Sequence, residues 1–290
     1  EVTIGLNPFR SPNPDTYPNS KPSKNAPQVF SVPHTKIPSI PASNLGPSMK
    51  LIIAGATSLL GVEIVRQSLR IPEITQVVAL AHETVHLDES IDSSKVRSVV
   101  IDDYGEYPDD VKAEFAGADA CIWTVAFTPL QPGFDFAEAK RVCHDYTKLG
   151  FQAMCEAGPA RPFRFIYLSA EGTPRDPTKN PVILPDFFLI RRKTELMVHR
   201  FPTRKEGVEV CIARPGVIAN STTWSRGLVA NLFRIINRFG RTLPSIQRSE
   251  LAAALLNQAM DGFEKRTLLN ADLVRLGRRE LKFRSIPRLS

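Results

Sequence analysis

Cysteine is scarce in this chain and its spacing is unpaired. Cys121, Cys143, Cys155 and Cys211 are the whole set, no two of them form Cys-x-x-Cys, and all lie among apolar neighbours. That pattern excludes a disulfide framework and a paired zinc site, and the four read as reduced core residues of a cytoplasmic protein. Long apolar runs are missing as well. No stretch approaches the roughly 18 consecutive apolar residues that cross a bilayer, and the N-terminus lacks the apolar core of a secretory signal, so no membrane partner is expected. An excess of one charge is missing from the body of the chain. The formal net charge is +7, yet residues 49–270 carry 27 basic and 26 acidic side chains, and the surplus sits in residues 1–48 (four and two) and 271–290 (six and two). A near-neutral body does not make the electrostatic footprint of a nucleic-acid-binding domain. Gly-x-Ser-x-Gly is absent, which removes the hydrolase-elbow reading; His82-Glu83-Thr84-Val85-His86 has the His-Glu-x-x-His spacing of a zinc protease, a motif that needs a helix to bring both rings to one face.

What is present suits one large α/β domain or two small ones: 290 residues, 42% hydrophobic and 23% charged. Ten of the 24 prolines fall in the first 47 residues. Residues 1–48 are rich in Pro, Ser and Asn, show no periodicity, and bury too little apolar surface to offset the entropy of ordering, so they read as disordered. Met49 stands directly before the first strand pattern, and the preceding segment reads as an upstream translated stretch or an expression artefact. A transit peptide is the weaker alternative, because ten prolines oppose an amphipathic helix.

From Lys50 the pattern becomes a short apolar run, a glycine-containing turn and a helix. Strands are expected at Lys50–Ala54, Gln76–Ala81, Val96–Ile101, Ala118–Ala126, Phe163–Ser169 and Val208–Ala213. Helices are expected after the turn (Val62, Val65 and Leu69 along one face), at Asp109–Phe115, Phe136–Ala157, Phe187–Phe201, Leu228–Arg238 and Ser249–Phe263. Alternating β and α elements with nearly continuous apolar strands predict an α/β fold, a doubly wound, mostly parallel (Rossmann) sheet over residues 49–278. A small C-terminal helical substrate region is expected around 215–245, and 279–290 reads as a basic tail.

The informative segment is Gly55-Ala56-Thr57-Ser58-Leu59-Leu60-Gly61, between the first strand and the first helix. In a dinucleotide site such a turn lets backbone approach the pyrophosphate, whose charge the helix N-terminus stabilises. Ser58 replaces the middle glycine: its Cβ crowds the approach, while its hydroxyl offers a donor. A strand-to-helix connection that binds nothing is the alternative reading of the same residues.

The run Met49–Gly61, with Phe165-Ile-Tyr-Leu-Ser169, Arg214-Pro-Gly216 and Ser249-Glu-Leu-Ala-Ala253 in that order, resembles the atypical short-chain dehydrogenase/reductases, including NmrA-like and nucleoside-diphosphate-sugar-epimerase-like proteins. The resemblance implies that Gly55, Thr57, Ser58 and Gly61 surround cofactor phosphates, with backbone amides of Leu59 and Leu60 contributing. It implies that His82, at the end of the second strand, meets the adenosine ribose. His82 leans towards NADP over NAD, because no acid stands there to accept from the ribose hydroxyls, although an exposed histidine without a role fits equally. Asp102 then meets the adenine amine or is one of several solvated acids, and Thr124, within Trp123–Phe127, lines the nicotinamide side or belongs to ordinary strand core.

The same resemblance implies a strand-five serine paired with Tyr-x-x-x-Lys on the next helix, the tyrosine moving the proton that accompanies hydride transfer. Ser169 matches the serine. Arg191, Arg192 and Lys193 are the available cations, and four residues before them stand Phe187, Phe188 and Leu189, so no register supplies a tyrosine. Tyr167, on the same side of the strand as Ser169, is the candidate replacement acid and Lys193 the candidate lysine; packing and surface roles are the alternatives. His144 and Asp145 are expected to point apart on a helix, and His199 to sit near a helix C-terminus. Three readings remain open: an NAD(P)-dependent oxidoreductase or isomerase acting on a small organic substrate; a non-catalytic NAD(P)-binding regulator docking a protein partner through 228–238, or forming a homodimer; and a degenerate fold, suggested by Ser58, that binds neither cofactor nor substrate well.

Overall fold

Two strands covered on both faces set the centre of the sheet: β1 (Met49–Ala54) and β4 (Ala120–Trp123), whose residues from Leu51 and Ala120 onward are buried without interruption. The structure is a computed structural model that describes residues 48–88, 90–127, 135–174, 176, 184–219 and 244–285. The remaining strands are β2 (Ile74–Ala81), β3 (Val96–Val100), β5 (Phe163–Leu168), β6 (Val208–Arg214), β7 (Val217–Ala219), β8 (Ser245–Gln247) and β9 (Thr267–Leu269). Seven of them form one sheet in the order β3-β2-β1-β4-β5-β6-β9, every pair parallel. The chain runs outward from β1 to β3 and then returns to lay β4 on the other side of β1. That reversal opens a crevice beyond the carboxyl ends of β1 and β4, where ligands of doubly wound sheets sit.

The expected α/β, mostly parallel Rossmann-like sheet is therefore what the chain forms, and all six expected strands are present with small shifts of their ends. β4 ends at Trp123, and the Thr124 N–H makes the last ladder bond, to the Ala54 carbonyl at 3.0 Å. β7, β8 and β9 have three residues each, too few to carry a periodic signal, and the sequence reading missed them.

Helix α1 (Leu59–Ser68) buries Leu60, Ile64, Val65 and Ser68, whereas Val62 and Leu69 are only partly covered. The inward face is thus rotated from the expected Val62/Val65/Leu69 stripe, because the N-cap at Ser58 fixes the phase of the helix. Short α2 (Asp109–Ala113) precedes β4. Phe136–Glu156 runs helical throughout but is not uniform: α3 (Phe136–Lys140) and α4 (Tyr146–Glu156) are joined by a π-helical turn, Arg141–Asp145. Next come α5 (Pro185–Val198) and α6 (Phe201–Arg204): the expected single helix breaks at His199–Arg200, and Pro202, which has no N–H to donate back, stands in the first turn of α6. Helix α7 (Arg248–Asp261) is buried on every side from Glu250 to Ala259, between α1 and α8 (Asn270–Ser285). An all-round buried helix loses the amphipathic stripe, which is why Leu251 and Leu255 marked it but did not reveal its depth.

Helix α8 overturns part of the tail expectation: residues 279–285 are helical, and Arg278 pairs with Glu250 of α7 at 2.9 Å. The basic side chains there complement the negative end of a helix. All four cysteines are free thiols. Burial pushes the thiols of Cys155 and Cys211 up to about 11 and about 12, so neither is a ready nucleophile. No group of three His, Cys, Asp or Glu residues suited to a metal occurs among the described residues, and no described helix is long and apolar enough to cross a membrane. The segment 1–47 and the expected helix Leu228–Arg238 lie outside the described residues.

Candidate dinucleotide site

The turn after β1 leaves no room for a side chain at either end. Gly55 has φ +80°, and a Cβ there would stand 2.6 Å from Thr124 Oγ1. At Gly61 it would stand 2.3 Å from the Gly55 carbonyl oxygen, so the first turn of α1 lies directly on the backbone of the bend. Between them, Ser58 is the N-cap of α1: its Oγ accepts from Gly61 N–H at 3.0 Å, with extended backbone at the cap. The serine is exposed, and as an acceptor in the cap it keeps its own hydroxyl hydrogen available.

Counting amides decides whether the bend can hold an anion. Gly55 and Ala56 donate to Leu80 O, Ser58 to Gly55 O, and Gly61 to Ser58 Oγ. Among the described residues the N–H groups of Thr57, Leu59 and Leu60 have no acceptor. Two of these belong to the first turn of a helix, where unsatisfied donors and the positive end of the macrodipole coincide. Six of the nine cofactor candidates, Gly55, Thr57, Ser58, His82, Asp102 and Thr124, line one cavity of about 440 Å³ above the β1/β4 crevice. The other three, Leu59, Leu60 and Gly61, belong to the helix start behind it.

The cavity also takes residues that the sequence reading missed. Tyr104, buried after β3, donates to Leu80 O at 3.0 Å and accepts from Gly55 N–H at 3.1 Å, tying the bend to the neighbouring strand end. Burial raises its phenol well above the ordinary range, so it remains a neutral strut. His82 packs edge-on against it, with Nδ1 2.9 Å from Ile101 O; that geometry assigns the hydrogen to Nδ1 and leaves Nε2 facing outward. From the helix side come Tyr146 and Arg141, the guanidinium 5.5 Å above the tyrosine ring and 3.8 Å from Asp103. The Gly105 N–H and then the Tyr146 hydroxyl hold Asp103 below the usual carboxylate range, while burial, followed by Asp103, pushes Tyr146 up to about 12. Nothing local in the sequence marks Arg141 and Tyr146; the π-helical turn that presents them is a tertiary feature.

Tyr104→Phe is expected to cost only about 0.5–1.5 kcal/mol in urea unfolding. Leu80 O keeps the Gly55 and Ala56 amides, so no buried group is orphaned.

The catalytic candidates lie apart from this cavity. Ser169, directly after β5, is buried with Oγ 3.2 Å from Thr173 Oγ1. Tyr167 is sealed among Trp123, Phe165 and their neighbours; its hydroxyl has no hydrogen-bond partner and does not open on the cavity, and burial pushes it up to about 12. Tyr167, the candidate replacement acid, is thus enclosed on the side of β5 that packs against helices. Lys193 stands on the exposed face of α5. The face turned inward carries Phe187, Ile190, Arg191, Thr194, Glu195 and Val198. The inward i, i+4 pair is thus Phe187 and Arg191, a ring without an ionisable oxygen followed by a guanidinium.

His144 and Asp145 do not point apart: His144 Nδ1 lies 2.8 Å from Asp145 Oδ1. Both belong to the π-helical turn, whose wider winding reduces the angle between successive side chains. His199 caps α5, and burial, the largest influence, lowers its pKa. A lowered histidine takes up its proton more readily when unfolded, so stability is lost as pH falls below about 6.5. His199→Gln is expected to flatten that slope in unfolding midpoints measured from pH 7.5 to 5. Of the expected substrate region, the described edges are β7 and β8, paired in parallel, with Asn270 accepting from Gly216 N–H and donating to Ser245 O.

A scan against protein-family models and a search among curated proteins each return no match. Solved structures do match. MoeE5 in complex with UDP-glucuronic acid and NAD is similar at 16% identity and TM-score 0.57, over 75% of this chain and 74% of that one. The dTDP-glucose 4,6-dehydratase DesIV of Streptomyces venezuelae, a double mutant with NAD and DAU bound, is similar at 17% and 0.55 over 81% of each chain. A short-chain dehydrogenase/reductase of Saccharomyces cerevisiae, YIR035C, is similar at 12% and 0.54, over 79% and 99%. At these identities the likeness is one of fold: the chain has the Rossmann-like fold that these proteins share.

Proposed function

We propose that the chain is an NAD(P)-dependent oxidoreductase or isomerase of the atypical short-chain dehydrogenase type, acting on a small organic substrate and working without the usual catalytic tyrosine. The observation that carries the reading is the set of three unengaged amides, Thr57, Leu59 and Leu60, over a bend where neither Gly55 nor Gly61 has space for a Cβ. These amides hold the diphosphate, the Ser58 hydroxyl adds a donor, and Tyr104 keeps the bend in place. His82 and Asp102 flank the adenosine end, and Thr124 with Val125 the other. The solved structures of this fold that contain NAD, MoeE5 and DesIV, support a nicotinamide dinucleotide as the cofactor class.

NADP is the expected form and NAD the alternative, since His82 and not a carboxylate ends β2. When bound, the cofactor supplies hydride transfer at its nicotinamide ring. Ser169 supplies a hydroxyl at the carboxyl end of β5 to polarise a substrate oxygen, and with Tyr167 enclosed the accompanying proton comes from water or from the substrate itself. Titration calorimetry is expected to show NADP binding more tightly than NAD, since no carboxylate at the end of β2 repels the extra phosphate. Equal affinities would assign His82 no role, and binding of neither would remove the proposal.

A second reading, a non-catalytic cofactor-binding regulator, is favoured by Phe187, which stands where an ionisable oxygen would be needed for acid catalysis. NAD(P)H oxidation across a panel of carbonyl compounds separates the two: turnover supports the enzyme, while tight cofactor binding without turnover supports the regulator. Both readings place the protein among soluble, small-molecule-binding folds, and the cytoplasm remains the expected compartment.

A further inference from the structure

Two arginines are buried at the carboxyl ends of β5 and β6, and they are treated differently by their surroundings. Arg214, ending β6, is paired bidentately: its Nε donates to Glu195 Oε1 at 2.9 Å and its second nitrogen to Glu195 Oε2. Both oxygens of Glu195 are thereby committed. Arg191, one helical turn earlier on α5, is 5% exposed and has no carboxylate within ion-pair distance among the described residues. Nη1 donates to Leu168 O at 2.6 Å, the guanidinium carbon lies 5.0 Å from the centre of the Phe187 ring, and Nε is buried with no partner at all. A buried guanidinium without a counter-charge is costly, and one carbonyl and one aromatic face offset only part of that cost. Its position is specific: Leu168 is the last residue of β5 and Ser169 follows it. A permanently charged planar fork with an unpartnered Nε, held beside that serine, matches an oxyanion.

We infer that Arg191 recognises an oxyanion on the organic substrate, and that the substrate class is a carboxylic acid. The inference rests on the oxidoreductase reading of the Ser169 side of the sheet and names the substrate class for it. Phe187, Ile190 and partly buried Phe188 form an apolar cluster around the arginine, so the matching acid has an apolar body.

The test uses the full chain, with benzoate as probe and benzamide as its neutral counterpart, titrated by calorimetry with and without saturating NADP. Benzoate is expected to bind at least tenfold more tightly than benzamide, in both conditions. Arg191→Met is expected to lose that preference. Arg191→Lys, which keeps the charge but not the fork, is expected to retain part of it, and it tests the idea if the methionine variant fails to fold. Equal binding of the two probes, no binding of benzoate, or an unchanged preference in either variant would overturn the inference. Phenyl phosphate binding more tightly than benzoate would overturn the carboxylate assignment in favour of a phosphate monoester. Loss of benzoate binding when NADP is added would assign the anion to the cofactor's own phosphates and likewise overturn it. Because NADP binding is titrated separately, its failure strikes the dinucleotide reading while the benzoate titration of the free protein still tests Arg191.

Discussion

Gly61→Ala is expected to abolish measurable dinucleotide binding while costing about 1–3 kcal/mol of stability, the range for overpacking a filled site. Three backbone atoms stand in the way of the new methyl: Gly55 O at 2.3 Å, Ala56 Cα at 2.8 Å and Ala56 C at 2.9 Å. No side chain can rotate aside, so relief requires α1 to move off the bend. That movement re-aims the Leu59 and Leu60 amides, which is why binding suffers more than folding. Ser58→Ala provides the contrast. It removes the cap on Gly61 N–H, for about 1 kcal/mol, yet leaves the helix seated and the three amides in position. Urea midpoints and NADP calorimetry on both variants check the pair; wild-type affinity in Gly61→Ala would refute the assigned geometry.

The second large effect is expected at the ion pair joining α5 to β6. Glu195→Ala leaves Arg214 buried and uncompensated, and should destabilise by about 3–5 kcal/mol. Glu195→Leu combined with Arg214→Met should recover most of that loss, since the pair's attraction largely offsets its own desolvation. Thermal and urea unfolding of the single and double variants measure both values. A double variant as unstable as the single would mean that shape, and not charge, holds this corner of the sheet. The same pair orients the face of α5 that presents Arg191, so the single variant should also weaken benzoate binding.

The order of elements, the parallel sheet and the phosphate-type turn were legible in the chain because each is written locally. An apolar run of five or six residues, a glycine bend and a helical stripe depend on neighbours a few positions away. Gly55, Thr57, Ser58, His82, Asp102 and Thr124 meet in one cavity because each follows a strand at the same edge of a parallel sheet, so alternation alone brings them together. The three-residue strands were illegible, as was the helical start of the basic C-terminus, because their pairing lies in partners distant along the chain.

Which arginine and which phenylalanine of α5 turn inward could not be read from Phe187-Phe-Leu-Ile-Arg-Arg-Lys193, where three registers compete on equal terms. Tertiary packing decided it: Glu195 is drawn to Arg214 of β6, that pairing fixes the helix phase, and Phe187 and Arg191 follow on the buried face while Lys193 is left outside. Tyr167 was settled in the same way, by what covers its side of the sheet. The sequence by itself determined the fold and the bend, since local pattern encodes both; the tertiary structure alone decided which charges are buried and which are matched, since compensation of a charge depends on groups that only folding brings within reach.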